Sequence, residues 1–332
     1  MSGKQLLRQF RMQVCGLRSG SLKERYVIGI DAGGTKVAYG LFDEKNKIID
    51  RIQHATKADI DGPAFSDIII SNVKTLIQKN DLTYEQLTGV GIGMPSFIER
   101  ETGYVFMTSA IPRIKDFAMR EYLEKRLPLR IILDNDANAA ALAEHRNGAG
   151  RGSKHMVYIV IGTGFGSGII INGEVFSGSY GAAGECGHMI ATPEEGLLCG
   201  CENKGCFMSY ISGRQLPERV KLGLDQGIQS VLNEETATGQ TLLKAFKTGD
   251  VLAEKLIDEM AHYIALCVFN VYQMLNIDTY VFGGGLTALG DILFDRIRAN
   301  FNKFNHIPFP VKFKMAQLKE DIGIIGAAEY LR

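Results

Sequence analysis

The stretch Leu133-Asp134-Asn135-Asp136-Ala137-Asn138 sets two carboxylates and two carboxamides between a short apolar run, Arg130 to Leu133, and an Ala- and Leu-rich helical run. At the junction of a strand and a helix, such groups face the crevice at the carboxyl end of a sheet, where α/β proteins bind ligands. A carboxylate placed there can take a proton from a substrate hydroxyl. Asp134 and Asp136 would share one face of an extended chain, but the helical turn between them leaves only one for the cleft. Asp136 opens the helix and is the expected one. The plainer alternative is that Asp134 or Asn135 serves only as a helix N-cap.

Two glycine turns have the chemistry of phosphate grips. Tyr26 to Ile30 reads as a buried strand and runs into Asp31-Ala32-Gly33-Gly34-Thr35-Lys36, followed by strands at Val37 to Phe42 and Ile48 to His54. A diglycine turn after a strand exposes successive backbone N–H groups, a nest suited to phosphate oxygens. Asp31 at the strand end is a candidate to hold magnesium through water. The second half repeats the pattern: a strand at His155 to Ile161, then Gly162-Thr163-Gly164-Phe165-Gly166-Ser167-Gly168, then a hairpin. Two such turns on similar lobes would face each other across a cleft. Gly283-Gly284-Gly285, after a strand at Thr279 to Phe282, would let a flat group such as adenine lie against backbone. Neither G-x-x-x-x-G-K-[ST] nor G-x-G-x-x-G occurs, so no Walker or dinucleotide fingerprint is present.

His188, Cys199, Cys201 and Cys206 follow the spacing H-x10-C-x-C-x4-C. One imidazole and three thiolates fill a tetrahedral zinc set and leave no position for a catalytic water, so the expected ion is structural. It would also fix His188 and, through the short Glu185-Cys186-Gly187-His188 segment, orient Glu185.

The elements that must carry these groups fit a chain of 332 residues with about two domains. Lys+Arg equals Asp+Glu at 37 each, so nothing draws the chain generally toward nucleic acid or anionic membrane. No apolar run approaches a membrane span or a signal-peptide core, and the expected location is cytoplasmic. Helices are expected over Ala64–Lys79, Phe117–Arg126, Glu254–Leu275 and Ile322–Leu331, with Gly148, Gly150 and Gly152 as a hinge after the helix at Asp136. Residues 1–24 read as a separate basic arm, too short for a complete helix-turn-helix unit.

Together, Asp31 to Lys36, Asn135 to Asn138, Gly162 to Gly168, Glu185 to His188, the cysteine cluster and Gly283 to Gly285 resemble the ROK family of sugar kinases and sugar-responsive repressors. The resemblance runs in order over about residues 25–332. It implies an α/β, two-lobed, actin-like (ribonuclease-H-type) ATPase fold with a structural zinc knot. Residues 25–134 plus 322–332 would form the smaller lobe and 135–321 the larger. It implies ATP-dependent phosphorylation of a hexose, usually at the 6-hydroxyl, with Asp136 as base and Asn135, Glu185 and His188 on the sugar. Gly33, Gly34, Thr35, Lys36, Gly162, Thr163, Gly164, Gly166, Gly283, Gly284 and Gly285 would hold ATP, with Asp31 toward Mg2+. A homodimer or homotetramer is implied as well. The alternative the family offers is a sugar-sensing regulator. Two positions depart from the kinase pattern: Met208 stands where a Glu is usual and Ala110 where an Asn is usual, both on the sugar side.

Overall fold

The computed structural model describes residues 25–193 and 196–332; the arm expected at 1–24 lies outside the described residues. β1 (Tyr26–Ala32), β2 (Lys36–Phe42) and β3 (Ile48–Ala55) form an antiparallel meander. β4 (Leu87–Met94) and β8 (Ile131–Asn135) continue it as parallel strands, in the order β3-β2-β1-β4-β8. The second half builds the same sheet again. β9 (Met156–Ile161), β10 (Phe165–Ile171) and β11 (Glu174–Val175) are antiparallel, and β12 (Thr279–Gly283) and β13 (Lys312–Met315) are added in parallel, in the order β11-β10-β9-β12-β13. The repeat read from the two glycine turns is therefore a repeat of whole mixed sheets.

Parallel strands need a crossover. In the first half α1 (Gly62–Lys79) provides it, starting where Asp61 accepts a hydrogen bond from the Ala64 N–H at 2.9 Å and Pro63 sits in the first turn. Phe65, Ile69, Val73 and Leu76 recur at helical spacing and bury that face. In the second half α7 (Val251–Leu275) begins three residues earlier than expected, because Asp250 caps it through the Ala253 N–H at 2.8 Å. It packs on α8 (Asp291–Phe304), and the short helices α4 (Phe207–Ile211), α5 (Leu216–Asp225) and α6 (Gly239–Lys247) precede it.

One expected element is corrected. Phe117 is not helical: β5 (Ser96–Glu99), β6 (Tyr104–Thr108) and β7 (Lys115–Ala118) form a small third sheet, with Phe117 paired to Val105, and α2 spans only Met119–Glu124. Pairing with the preceding strand overrides the helical spacing of the apolar residues there.

Between the two sheets lie α3 (Asp136–Asn147) and α9 (Ile322–Glu329), with a shared apolar cluster that includes Val27, Ile132, Ala139, Leu142, Tyr158 and Ile324. The contact is close backbone on backbone. A Cβ on Gly326 would lie 1.9 Å from the Ala139 carbonyl oxygen, and one on Gly91 1.7 Å from that of Ala327. Glu144, fully buried in α3, accepts N–H bonds from Ala149, Gln317 and Leu318 at 2.7, 2.9 and 2.7 Å and ties this helix to the end of β13. Among the described residues no helix is long and apolar enough to cross a membrane.

Candidate active site

The two carboxylates of the opening motif have different fates. β8 ends at Asn135, whose Oδ1 caps α3 by accepting from the Ala137 N–H at 2.8 Å and whose Nδ2 donates to the Ser96 carbonyl at 3.2 Å. Asp134 is 2% exposed; it accepts from the Asn135 N–H at 2.7 Å and Asn138 Nδ2 at 2.9 Å, and faces Arg100 Nε at 3.3 Å. Its oxygens are used inside the protein. Asp136, the first residue of α3, is half-buried and accepts from the Ala137 N–H at 3.0 Å. Burial and the negative charges of Asp31 and Glu185 push its carboxyl up to about 6.

These neighbours come from separate elements. Asp31 stands at the end of β1, next to β4, where a Cβ added to Gly93 would lie 3.7 Å from Asp136 Cα. Burial raises the Asp31 carboxyl and Lys36 opposes the rise. Glu185 precedes the 3-10 turn Cys186–His188, and burial raises it while His188 opposes. Three carboxylates gathered with little compensating charge fit a divalent cation, which would lower the cost of ionising them together.

The glycine turns carry fewer free donors than the sequence suggests. In the first, the Gly33 N–H closes the turn on the Lys36 carbonyl at 3.0 Å, so that donor is taken, while Gly34 and Thr35 remain exposed. In the second, the Gly162 N–H bonds the Gly164 carbonyl at 2.9 Å, and Thr163 and Gly164 are exposed. Gly166 lies within β10, opposite Val160. Gly284 and Gly285 are exposed and run alongside the second turn, where a Cβ on Gly162 would lie 3.7 Å from the Gly285 nitrogen. Gly283 is buried, and a Cβ there would meet Tyr158 Oη at 2.2 Å; its role is packing.

The structure brings His188, Cys199, Cys201 and Cys206 together, with their ligand atoms all within 4.8 Å of one another. Cys201 Sγ and Cys206 Sγ are 3.7 Å apart, as are Cys199 Sγ and His188 Nδ1. A tetrahedral ion with Zn–S bonds of about 2.3 Å puts its sulfurs roughly 3.8 Å apart, so this set fits zinc. His188 Nδ1 faces the thiolates, which leaves Nε2 for another partner.

Two residues near the site were not found from the sequence, and a third was known only in part. Arg100 pairs with Asp134 and lies over the Tyr330 ring at 5.3 Å, a meeting of three distant segments that no local pattern signals. Arg214 is exposed, and its N–H donates to the Thr163 carbonyl at 3.1 Å. Met208, known from the sequence only as a departure, takes the Phe165 N–H on its sulfur.

Duplicated mixed sheets with carboxylates and glycine turns at their strand ends define an α/β protein built on a repeated mixed sheet. The ROK family model matches residues 27–332, and the chain belongs to the ROK family. It is 31% identical over 312 residues to a glucokinase of Halalkalibacterium halodurans, covering 92% of this chain and 94% of that protein. It is 32% identical over 315 residues to an N-acetyl-D-glucosamine kinase of Photobacterium profundum, covering 90% and 97%. A ROK family glucokinase from Streptomyces griseus, solved in complex with glucose and AMPPNP, matches with a TM-score of 0.73 at 28% identity, covering 92% and 98%.

Proposed function

We propose that this chain is a sugar kinase that transfers the γ-phosphoryl group of ATP to a hexose or hexose derivative, at the 6-hydroxyl. The observation that carries the reading is Asp136: a half-buried carboxylate at the first turn of α3, held up to about 6 by burial and by Asp31. A base with that value is ionised at neutral pH and still basic enough to take a proton from an attacking hydroxyl.

The step is an in-line displacement. As the sugar oxygen bonds to the γ-phosphorus and the bond to the β–γ bridging oxygen breaks, Asp136 takes the hydroxyl proton and ADP departs. The protein's part is mainly positioning and charge neutralisation. Asn135, fixed as the α3 cap, and Glu185 and His188, on one short turn, hold the sugar. Gly34, Thr35, Thr163 and Gly164, the exposed tips of the two turns, hold the phosphates, and Gly284 and Gly285 line the adenine side. Asp31 is the residue that would hold magnesium through water; that ion supplies neutralisation of the phosphate charge. His188, Cys199, Cys201 and Cys206 would hold zinc, which would fix the His188 ring.

The proposed division is an actin-like pair of lobes, 25–134 with 322–332 and 135–321, hinged near α3, in a homodimer or homotetramer. The resemblance and the two repeated sheets support the lobes, and the resemblance alone supports the oligomer. The glucokinase and N-acetylglucosamine kinase relatives support the sugar class. The test is ADP release with and without a panel of sugars. Sugar-dependent release that Asp136→Asn abolishes would support the reading; release that ignores every sugar would overturn it.

A further inference from the structure

A cavity of ≈ 440 Å³ opens at the end of the second sheet away from the glycine turns. Its wall is made by the loop 151–155 before β9, by Asn276 to Thr279 at the start of β12, and by Lys312 and Lys314 of β13. Because β9, β12 and β13 are parallel, these are all N-terminal ends, whereas Gly162 and Gly284 follow the C-terminal ends. The cavity is separate from the proposed cleft.

Its charge is one-sided. Arg151, Lys154, Lys312 and Lys314 line it against a single carboxylate, Asp278, in a chain whose formal net charge is zero. Asp278 pairs with Lys312 at 2.8 Å, and Lys314 donates to the Ala149 carbonyl at 2.9 Å. These two contacts account for Lys312 and Lys314 by bonds within the protein, the second to the turn that follows α3. That explanation does not extend to Arg151 and Lys154, which pair with no carboxylate among the described residues. His155 stands on the same wall, its Nδ1 taken by the Asn172 N–H at 3.2 Å. The turn leaves room: Gly152, at φ +80°, has nothing within 4 Å of where a Cβ would be.

We propose that this cavity is a binding site for a small phosphate-bearing anion, held by the Arg151 guanidinium and the Lys154 ammonium, with Lys312 on the opposite wall. Arginine's planar fork and lysine's point charge are the common partners of phosphate oxygens. The volume falls in the range of small-molecule sites and leaves room for a phosphomonoester. The concave shape suits a small molecule better than the backbone of a duplex.

The experiment is calorimetric titration of inorganic phosphate, and separately of glycerol 3-phosphate, into the full chain. The ATP site is first saturated with a non-hydrolysable analogue, and ionic strength is held constant with chloride. Saturable binding is expected, weakened at least about tenfold in the Arg151→Ala/Lys154→Ala variant at unchanged melting temperature. Asp136→Asn should bind as the wild type does. No saturation by about 10 mM of either ligand, equal affinity in the double variant, or binding of duplex DNA in place of both would overturn the proposal.

Discussion

The Met208 sulfur accepts the Phe165 backbone N–H at 3.1 Å, joining α4 to the base of the second glycine turn. On its other side, a Cβ on Gly187 would lie 3.0 Å from the Met208 methyl carbon. The side chain therefore sits between the turn proposed for phosphate and the turn carrying Glu185 and His188. It brings an apolar thioether to a half-buried position, and Ala110, buried, is a second apolar residue on the side expected for the sugar.

A hydroxyl facing Met208 or Ala110 would lose a partner, and an unpaired buried hydroxyl is costly. Weak activity is expected on glucose and on N-acetylated hexosamines, with a better substrate that is deoxygenated, substituted or epimeric on that side. Met208→Glu should raise kcat/KM for glucose by about tenfold, the size of one hydrogen bond to a charged group. A kinetic panel of glucose, mannose, allose, fructose and N-acetylhexosamines measures both. If the wild type turns over glucose near ~10⁵ M⁻¹s⁻¹, an ordinary enzyme value, the pocket is not altered.

Asp136→Asn should lower sugar-dependent turnover by at least the ~10²–10⁴ of a lost general base, with ATP affinity unchanged. It should also raise the melting temperature at pH 7. The folded-state carboxyl is raised from 3.8 to about 6, so the neutral form is favoured below that range and the penalty of ionisation builds as pH rises through it. The amide removes that penalty. Near-normal turnover in Asp136→Asn, with loss in Asp134→Asn, would assign the base to the other carboxylate.

The same carboxyl sets a pH profile. kcat/KM should fall below about pH 6 as Asp136 takes up a proton. Asp31→Asn removes a negative charge that disfavours ionisation, so the Asp136 titration followed by NMR in the ligand-free protein should move to lower pH. An unchanged or higher midpoint would mean that the two carboxylates are not electrostatic neighbours.

Elemental analysis should find one zinc per chain. Cys201→Ser should lower both the melting temperature and sugar affinity, because the ion fixes His188. A metal-free chain with normal melting and full activity would remove this role.

What the sequence made legible was local. The strand-turn-strand pattern, the helix opened by Asp136 and the cysteine spacing each reside in a few consecutive residues whose types dictate conformation or ligation. What it hid was pairing between elements. Phe117 reads as helical until β6 is known to lie beside it, and the fate of Asp134 depends on Arg100, delivered by the end of β5. The first glycine turn shows a limit of another kind. Composition supplies the N–H groups, but the turn itself takes up that of Gly33.

α9 gives the close glycine packing a consequence in time. It lies on β1, β4 and α3, and a Cβ on its Gly323 would come within 2.4 Å of Asp31 Cγ. The strand that carries Asp31 is made early in synthesis, and the helix that covers it is made after both sheets. Domains tend to fold as their chain emerges from the ribosome. Residues 322–329 arrive only after β1, β4 and β8 have been made, and they are the part that covers Asp31. An unfinished chain therefore carries Asp31 uncovered, and the burial that raises its carboxyl is a late product of translation.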